Sequence, residues 1–354
     1  MRLLAIAALA LLPLAGSAAQ TNSAEPTPAA TAAAPSSAIA LQESNRKNIV
    51  SEMGGAFMGS SKCDAEGNLY IRKFASDRPL LGPVVKIDPD GKRIALFDPV
   101  AFSQLQLDRA DAFSPAADGG LYQIAQSGVV KPRIYVLHFS SDGSASSPIR
   151  LEADFEVYSF AAFLNGNLLV SGFERDVTNP KDSGRAVTDV FSADGRLLAQ
   201  LSFKQSPVPA RPEGKPGAKA VAEVGKSAVT LDLADAEASV DGNLYAVRNS
   251  SPALIYVISP AGRVERTIKV NVPVAGARPG TFHVSSNRLA VSFVTESKEM
   301  LVVVDAQTGS RIATYSVPDN LGISFACYSA DDGVFTFLNL GEGNALEVIR
   351  AEAQ

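Results

Sequence analysis

The sequence predicts an all-β fold, more specifically a six-bladed β-propeller whose last blade is completed by an N-terminal strand. Three observations support this prediction. The chain contains no long stretch with helical apolar spacing, a turn-and-strand unit recurs six times, and a second turn recurs five times. Short apolar runs such as Arg133–Phe139 and Leu301–Asp305 lie between Gly, Asp, Asn and Pro residues, which is typical of strands joined by tight turns.

The recurring unit is a turn followed by an apolar pair. Its clear copies are Glu66–Tyr70, Asp118–Tyr122, Asn165–Leu169 and Asp241–Tyr245, and its weaker copies are Ser286–Ala290 and Asp331–Phe335. The copies follow one another at steps of 45 to 52 residues, except for one step of 76 that contains a Pro/Gly/Lys/Ala-rich insert over 204–231. A strand-only period of about 40 to 50 residues is typical of propeller blades.

A second turn follows each of the first five units and supplies the argument for ring closure. Its copies are Asp88–Gly91, Ser140–Gly143, Ser192–Gly195, Ser259–Gly262 and Asp305–Gly309. The sixth unit lacks this turn, so it is one strand short. Because a closed ring leaves no open sheet edge, we expect a strand from within 37–53 to complete it. A pair of β-sandwiches with coincidental Asp-Gly turns is the alternative.

The first 37 residues are expected to precede the folded domain, which spans 38–354. Arg2, the apolar run Leu3–Ala15 and the small residues Gly16–Ala19 indicate a signal peptide over 1–19. The apolar run is too short to span a membrane, so we expect a periplasmic or secreted protein. Residues 20–37 are rich in Ala, Pro, Thr and Ser and predict a disordered tether. The 204–231 insert is interpreted as a flexible flap or docking segment, or as simple disorder.

Composition narrows the possible chemistry. The chain has 32 basic and 37 acidic residues, and no Lys/Arg-rich run interleaved with aromatics, which argues against a nucleic-acid partner. There is no Gly-x-Ser-x-Gly elbow and no phosphate loop. The two histidines, His138 and His283, fall on strands of different units and are interpreted as structural side chains rather than zinc ligands. These features favour a non-catalytic protein.

The Asp-Gly-Asn-Leu-Tyr unit and the later Asp-x-Asp-Gly turn resemble those of the six-bladed propellers grouped around the NHL, TolB-like and gluconolactonase-like families. The resemblance covers about residue 40 to the end. It implies four-stranded blades around a channel and no particular activity. Gluconolactonase-like members hold a divalent metal in the channel mouth, and on that pattern the weak candidates here are Asp108, Asp111 and Asp232. Calcium would want about six oxygen ligands. A metal-dependent, lactonase-like hydrolase is therefore the alternative to a binding protein without a cofactor.

The two cysteines fall on the first strands of the first and last units, which are neighbours in a closed ring. Cys63 and Cys327 could therefore form a disulfide in an exported protein. A one-residue offset between them could instead direct the two side chains to opposite faces of their strands. They would then be two separate buried thiols. The sequence leaves both possibilities open.

The loops that follow the second strands carry polar residues that should gather at one rim of the channel. These candidates are Arg72, Lys73, Lys131, Arg133, Glu174, Arg175, Arg248, Asn249 and Asn339. Such side chains suit an anionic or sugar-like ligand, although loops are also polar simply because they are solvated. The sequence thus favours an extracytoplasmic binding or scaffold module for a protein, peptide or glycan. A structural or sensory role in an envelope assembly is a further reading.

Overall fold

The computed structural model describes residues 38–128, 132–153, 155–174, 185–201, 232–248, 250, 252–322, 324–341 and 345–354. The signal peptide and tether predicted over 1–37 and the insert over 204–231 lie outside the described residues. Within them the chain forms 24 strands, one short α-helix and two short 3-10 helices. No helix of this described part is long and apolar enough to cross a lipid bilayer.

The strands before the insert are β1 (Ile39–Asn48), β2 (Phe57–Cys63), β3 (Leu69–Lys73), β4 (Val84–Ile87), β5 (Arg93–Phe97), β6 (Arg109–Pro115), β7 (Leu121–Ser127), β8 (Arg133–Phe139), β9 (Ile149–Arg150), β10 (Glu156–Ala162), β11 (Leu168–Glu174), β12 (Arg185–Phe191) and β13 (Leu197–Gln200). The strands after it are β14 (Asp232–Ala238), β15 (Leu244–Arg248), β16 (Ala253–Ile258), β17 (Val264–Val270), β18 (Arg278–Ser285), β19 (Arg288–Val294), β20 (Glu299–Asp305), β21 (Arg311–Val317), β22 (Ser324–Ser329), β23 (Val334–Leu340) and β24 (Leu346–Ala353). The helices are α1 (Val50–Met53) and the 3-10 turns Pro99–Leu105 and Asp319–Leu321.

The strands form antiparallel sheets in chain order. Four sheets have four strands each, namely β2–β5, β6–β9, β10–β13 and β14–β17. The remaining strands form one eight-stranded sheet in the order β18-β19-β20-β21-β1-β24-β23-β22. Among the described residues, the strand pairing that joins its two halves is short and parallel, Ile39 with Tyr315 and Ala40 with Ser316. The all-β prediction is confirmed, and the arrangement is propeller-like.

The N-terminal strand β1 pairs with the C-terminal strand β24, as the missing fourth strand of the last unit led us to expect. The pairing is antiparallel and runs from Leu41 opposite Ala353 to Asn48 opposite Glu347. Arg46 reinforces it, because its Nη1 lies 2.6 Å from the Glu347 carboxylate. The two ends of the folded chain therefore protect each other's sheet edges.

The first strands of the units form a closed ring around the centre. Each first strand contacts the next first strand along the chain, and the last contacts the first. The order is β2, β6, β10, β14, β18, β22 and back to β2. Six apolar clusters of the described chain pack between neighbouring groups of strands. One of them places the Phe97 ring 5.8 Å from the Phe139 ring, edge to face. Each unit therefore buries apolar side chains on both faces.

The second turns dock each unit onto the one before it. Gly195 has a positive φ of 87°, and a Cβ added there would lie only 2.1 Å from the carbonyl oxygen of Arg150 in β9. Gly91 lies against β1 less closely, since a Cβ added there would lie 3.3 Å from Cβ of Lys47. The remaining cases are Gly143 against β5, Gly262 against β13 and Gly309 against β17. Only glycine combines this backbone conformation with so close an approach.

Candidate functional site

Along the channel, the described residues line a larger and a smaller cavity, and the larger one opens where the first strands end. Its volume is about 550 Å³. It is lined by the carboxyl ends of β2, β6, β14, β18 and β22 and by the turns that follow them. A cavity of this size is within the range that holds small organic ligands.

The smaller cavity, of about 140 Å³, lies deeper along the same strands. Its lining comes from residues inside the strands, such as Gly59, Ala112 and Thr281. Lys62 and Glu237 line both cavities, so these two side chains mark the boundary between them. We call this boundary, together with His283, the junction.

Three ionisable side chains meet at the junction, and all are largely buried. The Nδ1 atom of His283 contacts the carboxylate of Glu237. The backbone N–H of Val284 donates to Oε2 of the same carboxylate at 2.7 Å. Lys62 donates from Nζ to the carbonyl oxygen of Ala236 at 3.0 Å. Burial of charged groups is tolerated here because each has a polar partner.

A disulfide joins Cys63 to Cys327 beside the junction, with the two Cα atoms 5.8 Å apart. The offset that left this pairing open is compensated by the hairpins. Lys62 faces Tyr70 in the first unit, whereas Tyr328 faces Phe335 in the last, so the last hairpin is one residue shorter. That difference puts both cysteines on equivalent faces of neighbouring strands.

The mouth of the larger cavity carries an excess of acidic side chains. Its lining includes five carboxylates, of Asp64, Glu66, Glu237, Asp331 and Asp332, against two cationic groups, of Lys62 and Arg350. Serine hydroxyls from four of the first-strand ends add further polar groups, namely those of Ser114, Ser239, Ser285 and Ser329. The mouth is therefore hydroxyl-rich and negatively charged.

The contacts of the Asp64 carboxylate mainly stabilise the fold. Its carboxylate lies 3.2 Å from Nζ of Lys86 and accepts hydrogen bonds from Asn68 and from the Tyr70 hydroxyl. Burial and the nearby Asp64 charge raise the pKa of Tyr70, which therefore stays a donor. Asp331 and Asp332 are exposed and each accept only a serine hydroxyl among the hydrogen bonds of the described residues.

The rim residues predicted from the loops lie at the other end of the channel. Because β2 and β3 are antiparallel, Lys73 at the end of β3 pairs with Phe57 at the start of β2. Six of the predicted rim residues hold corresponding positions in their units, and none of the six lines either cavity. They are Arg72, Lys73, Arg133, Glu174, Arg248 and Asn339. Lys131, Arg175 and Asn249 lie outside the described residues. Ligand binding at that rim stays a prediction.

Several of these rim side chains already have partners. Arg72 lies 3.7 Å from the Asp111 carboxylate and donates to the carbonyl of Ala110. Asn339 donates to Glu347 at 3.0 Å, and Glu174 is paired with Arg185. Within the described chain, Arg248 buries its Nη1 without a hydrogen-bond partner.

Two of the aspartates considered as metal ligands have other partners among the described residues. Asp111 is paired with both Arg72 and Arg109. Asp108 accepts the backbone N–H of Gly128. Asp232 lies in β14, but its side chain lies outside the described part. Two guanidinium groups beside Asp111 compete with any cation there. Metal binding by Asp108, Asp111 and Asp232 stays a prediction.

The sequence interpretation missed the junction, although a signal for it was present. Glu237, His283 and Cys327 all lie in first strands, seven or eight residues before the end of the recurring unit, as does Cys63. The recurrence of carboxylate, imidazole and sulfur groups at about this place in four first strands was the available signal. His138, in contrast, stacks on Tyr122 and lies near Asp118, in keeping with a structural role.

No protein-family model and no curated protein matches the chain. Solved structures resemble it at low identity. A luciferin-regenerating enzyme is 11% identical with a TM-score of 0.48, covering 87% of this chain and 95% of its own. A gluconolactonase from Xanthomonas campestris is 13% identical with a TM-score of 0.42, covering 89% and 96%. The Dos1 propeller is 12% identical with a TM-score of 0.41, covering 80% and 75%. At these identities the resemblance concerns the fold alone.

Proposed function

We propose that the protein is a non-catalytic binding module that takes an amino-sugar end group of a glycan in the mouth of the larger cavity. The observation that carries this proposal is the excess of carboxylates among serine hydroxyls at that mouth. An amino sugar presents an ammonium group for the carboxylates and hydroxyls for the serines. A neutral sugar would leave the acidic groups without a counterion.

The architecture that supports this module is, in our proposal, six-bladed. Each half of the eight-stranded sheet contains four consecutive antiparallel neighbours, and only two residue pairs join the halves. The ring of first strands has six members. Gly91 packs against β1 as the other second-turn glycines pack against the fourth strand of the preceding unit. All three features support counting β1 as the fourth strand of the last blade.

We further propose that the module works outside the cytoplasm. The disulfide supports this, since such bonds persist in oxidising compartments. The apolar run Leu3–Ala15, followed by small residues, is the sequence support for export. Cell fractionation with mass measurement of the exported chain tests it. Recovery of the intact chain from the cytoplasm alone would contradict the proposal.

Binding is tested by titrating the purified protein with glucosamine trimer and, as the matched neutral ligand, N-acetylglucosamine trimer. We expect heat of binding only with the aminated ligand and weaker binding at higher salt. The double substitution Asp331→Asn/Asp332→Asn should weaken it about fivefold to tenfold, since two exposed ion pairs are lost.

Three controls locate the site. Glu296→Gln removes one exposed carboxylate outside the lining of both cavities and should leave the affinity unchanged. Arg133→Ala probes the opposite rim and should also have no effect. Trilysine offers ammonium groups without sugar hydroxyls.

Failure of the aminated trimer to bind, or binding that is lost in Arg133→Ala and retained in the double variant, would exclude the mouth as the glycan site. Tight binding of trilysine alone would point to a peptide ligand instead.

A further inference from the structure

The junction and the disulfide beside it bring together four side chains whose donor atoms suit a soft divalent cation. These are the sulfurs of Cys63 and Cys327, Nδ1 of His283 and the carboxylate of Glu237. Sulfur, imidazole and carboxylate are the ligands that zinc takes in proteins, usually four in a tetrahedron. In the disulfide form the two sulfurs are bonded to each other and are poor ligands, because metals bind the thiolate.

The spacing of the donor atoms fits such a site. Nδ1 of His283 lies 3.7 Å from Sγ of Cys63. The donor atoms of Cys63, Glu237 and His283 all lie within 4.8 Å of one another. Metal–ligand bonds of about 2.0 to 2.3 Å in a tetrahedron place neighbouring ligand atoms about 3.5 Å apart. Small side-chain movements would therefore bring these three donors around one ion, and the sulfur of Cys327 lies beside them because it is bonded to that of Cys63.

The surroundings already hold two of the ligands in place. The Val284 N–H fixes Oε2 of Glu237, while the other oxygen faces His283. The ring of Phe325 packs edge-on against the imidazole, with centroids 4.8 Å apart. Outer contacts of this kind orient metal ligands and strengthen binding. Both cysteines also line the larger cavity, which gives a reductant and an ion a route from solvent.

We propose that reduction of the Cys63–Cys327 bond converts the junction into a four-ligand site for zinc or a similar soft divalent cation. The proposal is independent of glycan binding at the mouth. It assigns the disulfide a second role, since the oxidised form ties the ring together and the reduced form binds metal.

The chemistry balances with a dithiol as reductant. Reduction breaks the sulfur–sulfur bond, and the dithiol supplies two electrons and two protons while it becomes a disulfide itself. Metal binding then releases the two thiol protons to water. The imidazole binds through Nδ1 and carries its proton on Nε2. Two thiolates and one carboxylate leave the zinc site with one net negative charge, and the nearby Lys62 ammonium offsets it.

Cobalt(II) is the probe, because its absorption reports both tetrahedral geometry and thiolate ligation. The full-length protein is reduced with a phosphine under anaerobic conditions, desalted and titrated. We expect one cobalt per chain with a near-ultraviolet thiolate-to-metal band, no such band in the oxidised protein, and displacement of cobalt by zinc. His283→Ala should weaken cobalt binding at least about tenfold. The matched His138→Ala should bind as the wild type does.

A second variant separates metal binding from folding. Cys63→Ser/Cys327→Ser lacks both thiols, and we expect it to keep the native circular-dichroism spectrum and show no thiolate band. A reduced, folded wild-type protein without the band would overturn the proposal. So would equal cobalt binding by the oxidised protein, by His283→Ala or by the double serine variant. Loss of the native spectrum on reduction, without recovery on adding metal, would overturn it as well.

Discussion

Nδ1 of His283 lies 3.7 Å from Sγ of Cys63, although the two residues are 220 positions apart in the chain. Their strands, β18 and β2, are separated by β22 in the ring of first strands. The two side chains meet where the two cavities adjoin, since His283 lines the smaller cavity and Cys63 the larger one. Glu237, from β14, reaches the same point from the other side of His283. Residues from four first strands, including Cys327 of β22, thus converge at one level of the channel.

Removal of the disulfide should destabilise the fold. Cys63→Ser/Cys327→Ser removes a cross-link between residues 264 positions apart, which restricts the unfolded chain strongly. We expect a loss of about 2 to 5 kcal/mol in the free energy of unfolding, measured by urea denaturation. The reduced wild-type protein without metal should show nearly the same loss. An unchanged midpoint in the variant would mean that the bond contributes nothing to stability.

The closing strand β1 should contribute to the stability of the protein through its buried side chain. Leu41→Ala in β1 should lower the free energy of unfolding by about 2 to 3 kcal/mol, because this side chain is 3% exposed in the apolar core. Ile39 in the same strand is 39% exposed, so Ile39→Ala should change it by no more than about 0.5 kcal/mol. Denaturant titrations of the two variants compare them directly. Equal effects would contradict closure by β1.

Gly195 should be far less tolerant of a side chain than Gly242. Both residues have positive φ, so alanine strains the backbone at either position. A Cβ at Gly195 would also collide with the Arg150 carbonyl, whereas nothing lies within 4 Å of one at Gly242. Gly195→Ala should therefore cost at least about 1 kcal/mol more than Gly242→Ala, since a core overlap costs about 1 to 3 kcal/mol. Thermal and urea unfolding measure this difference. Similar stabilities would mean that the turns do not dock the units.

Glu299→Gln should stabilise the protein at neutral pH. Burial raises the pKa of Glu299, so the folded state disfavours its carboxylate. Wild-type stability should then fall as pH rises from the unfolded pKa, about 4.3, through the higher folded pKa. The glutamine variant lacks this loss. The free energy of unfolding of Glu299→Gln should exceed that of the wild type above this pH range, and the difference should vanish below about pH 4.

The exposed carboxylate of Glu296, in the neighbouring turn, provides the control for that experiment. Urea midpoints of Glu296→Gln and Glu299→Gln are measured at the same pH values, and we expect the stabilisation at neutral pH from removal of the buried carboxylate of Glu299. An advantage of Glu299→Gln that persists unchanged at pH 3.5 would have to come from packing rather than from ionisation.

The local pattern of the chain was enough to predict strands, turns and the need for a closing strand. Alternation of apolar and polar residues and the fixed spacing of Asp-Gly turns depend on neighbours within a few residues. The deficit of one strand in the last unit predicted the pairing that β1 makes with β24. The rim residues were predicted by the same reasoning, but the cavities lie along and at the other end of the channel.

The sequence by itself determined that this protein is an all-β chain of repeated strand-and-turn units in which an early strand pairs with the last strand. Only the tertiary structure decided that Cys63, Glu237, His283 and Cys327 share one point. The physical reason is that strand parity depends on hairpin length and on bulges, such as the register shift between Phe325 and Cys327. Adding or removing one residue in a hairpin moves a side chain from the face of the strand towards the channel to the opposite face. Ring closure then brings together strands that are hundreds of residues apart.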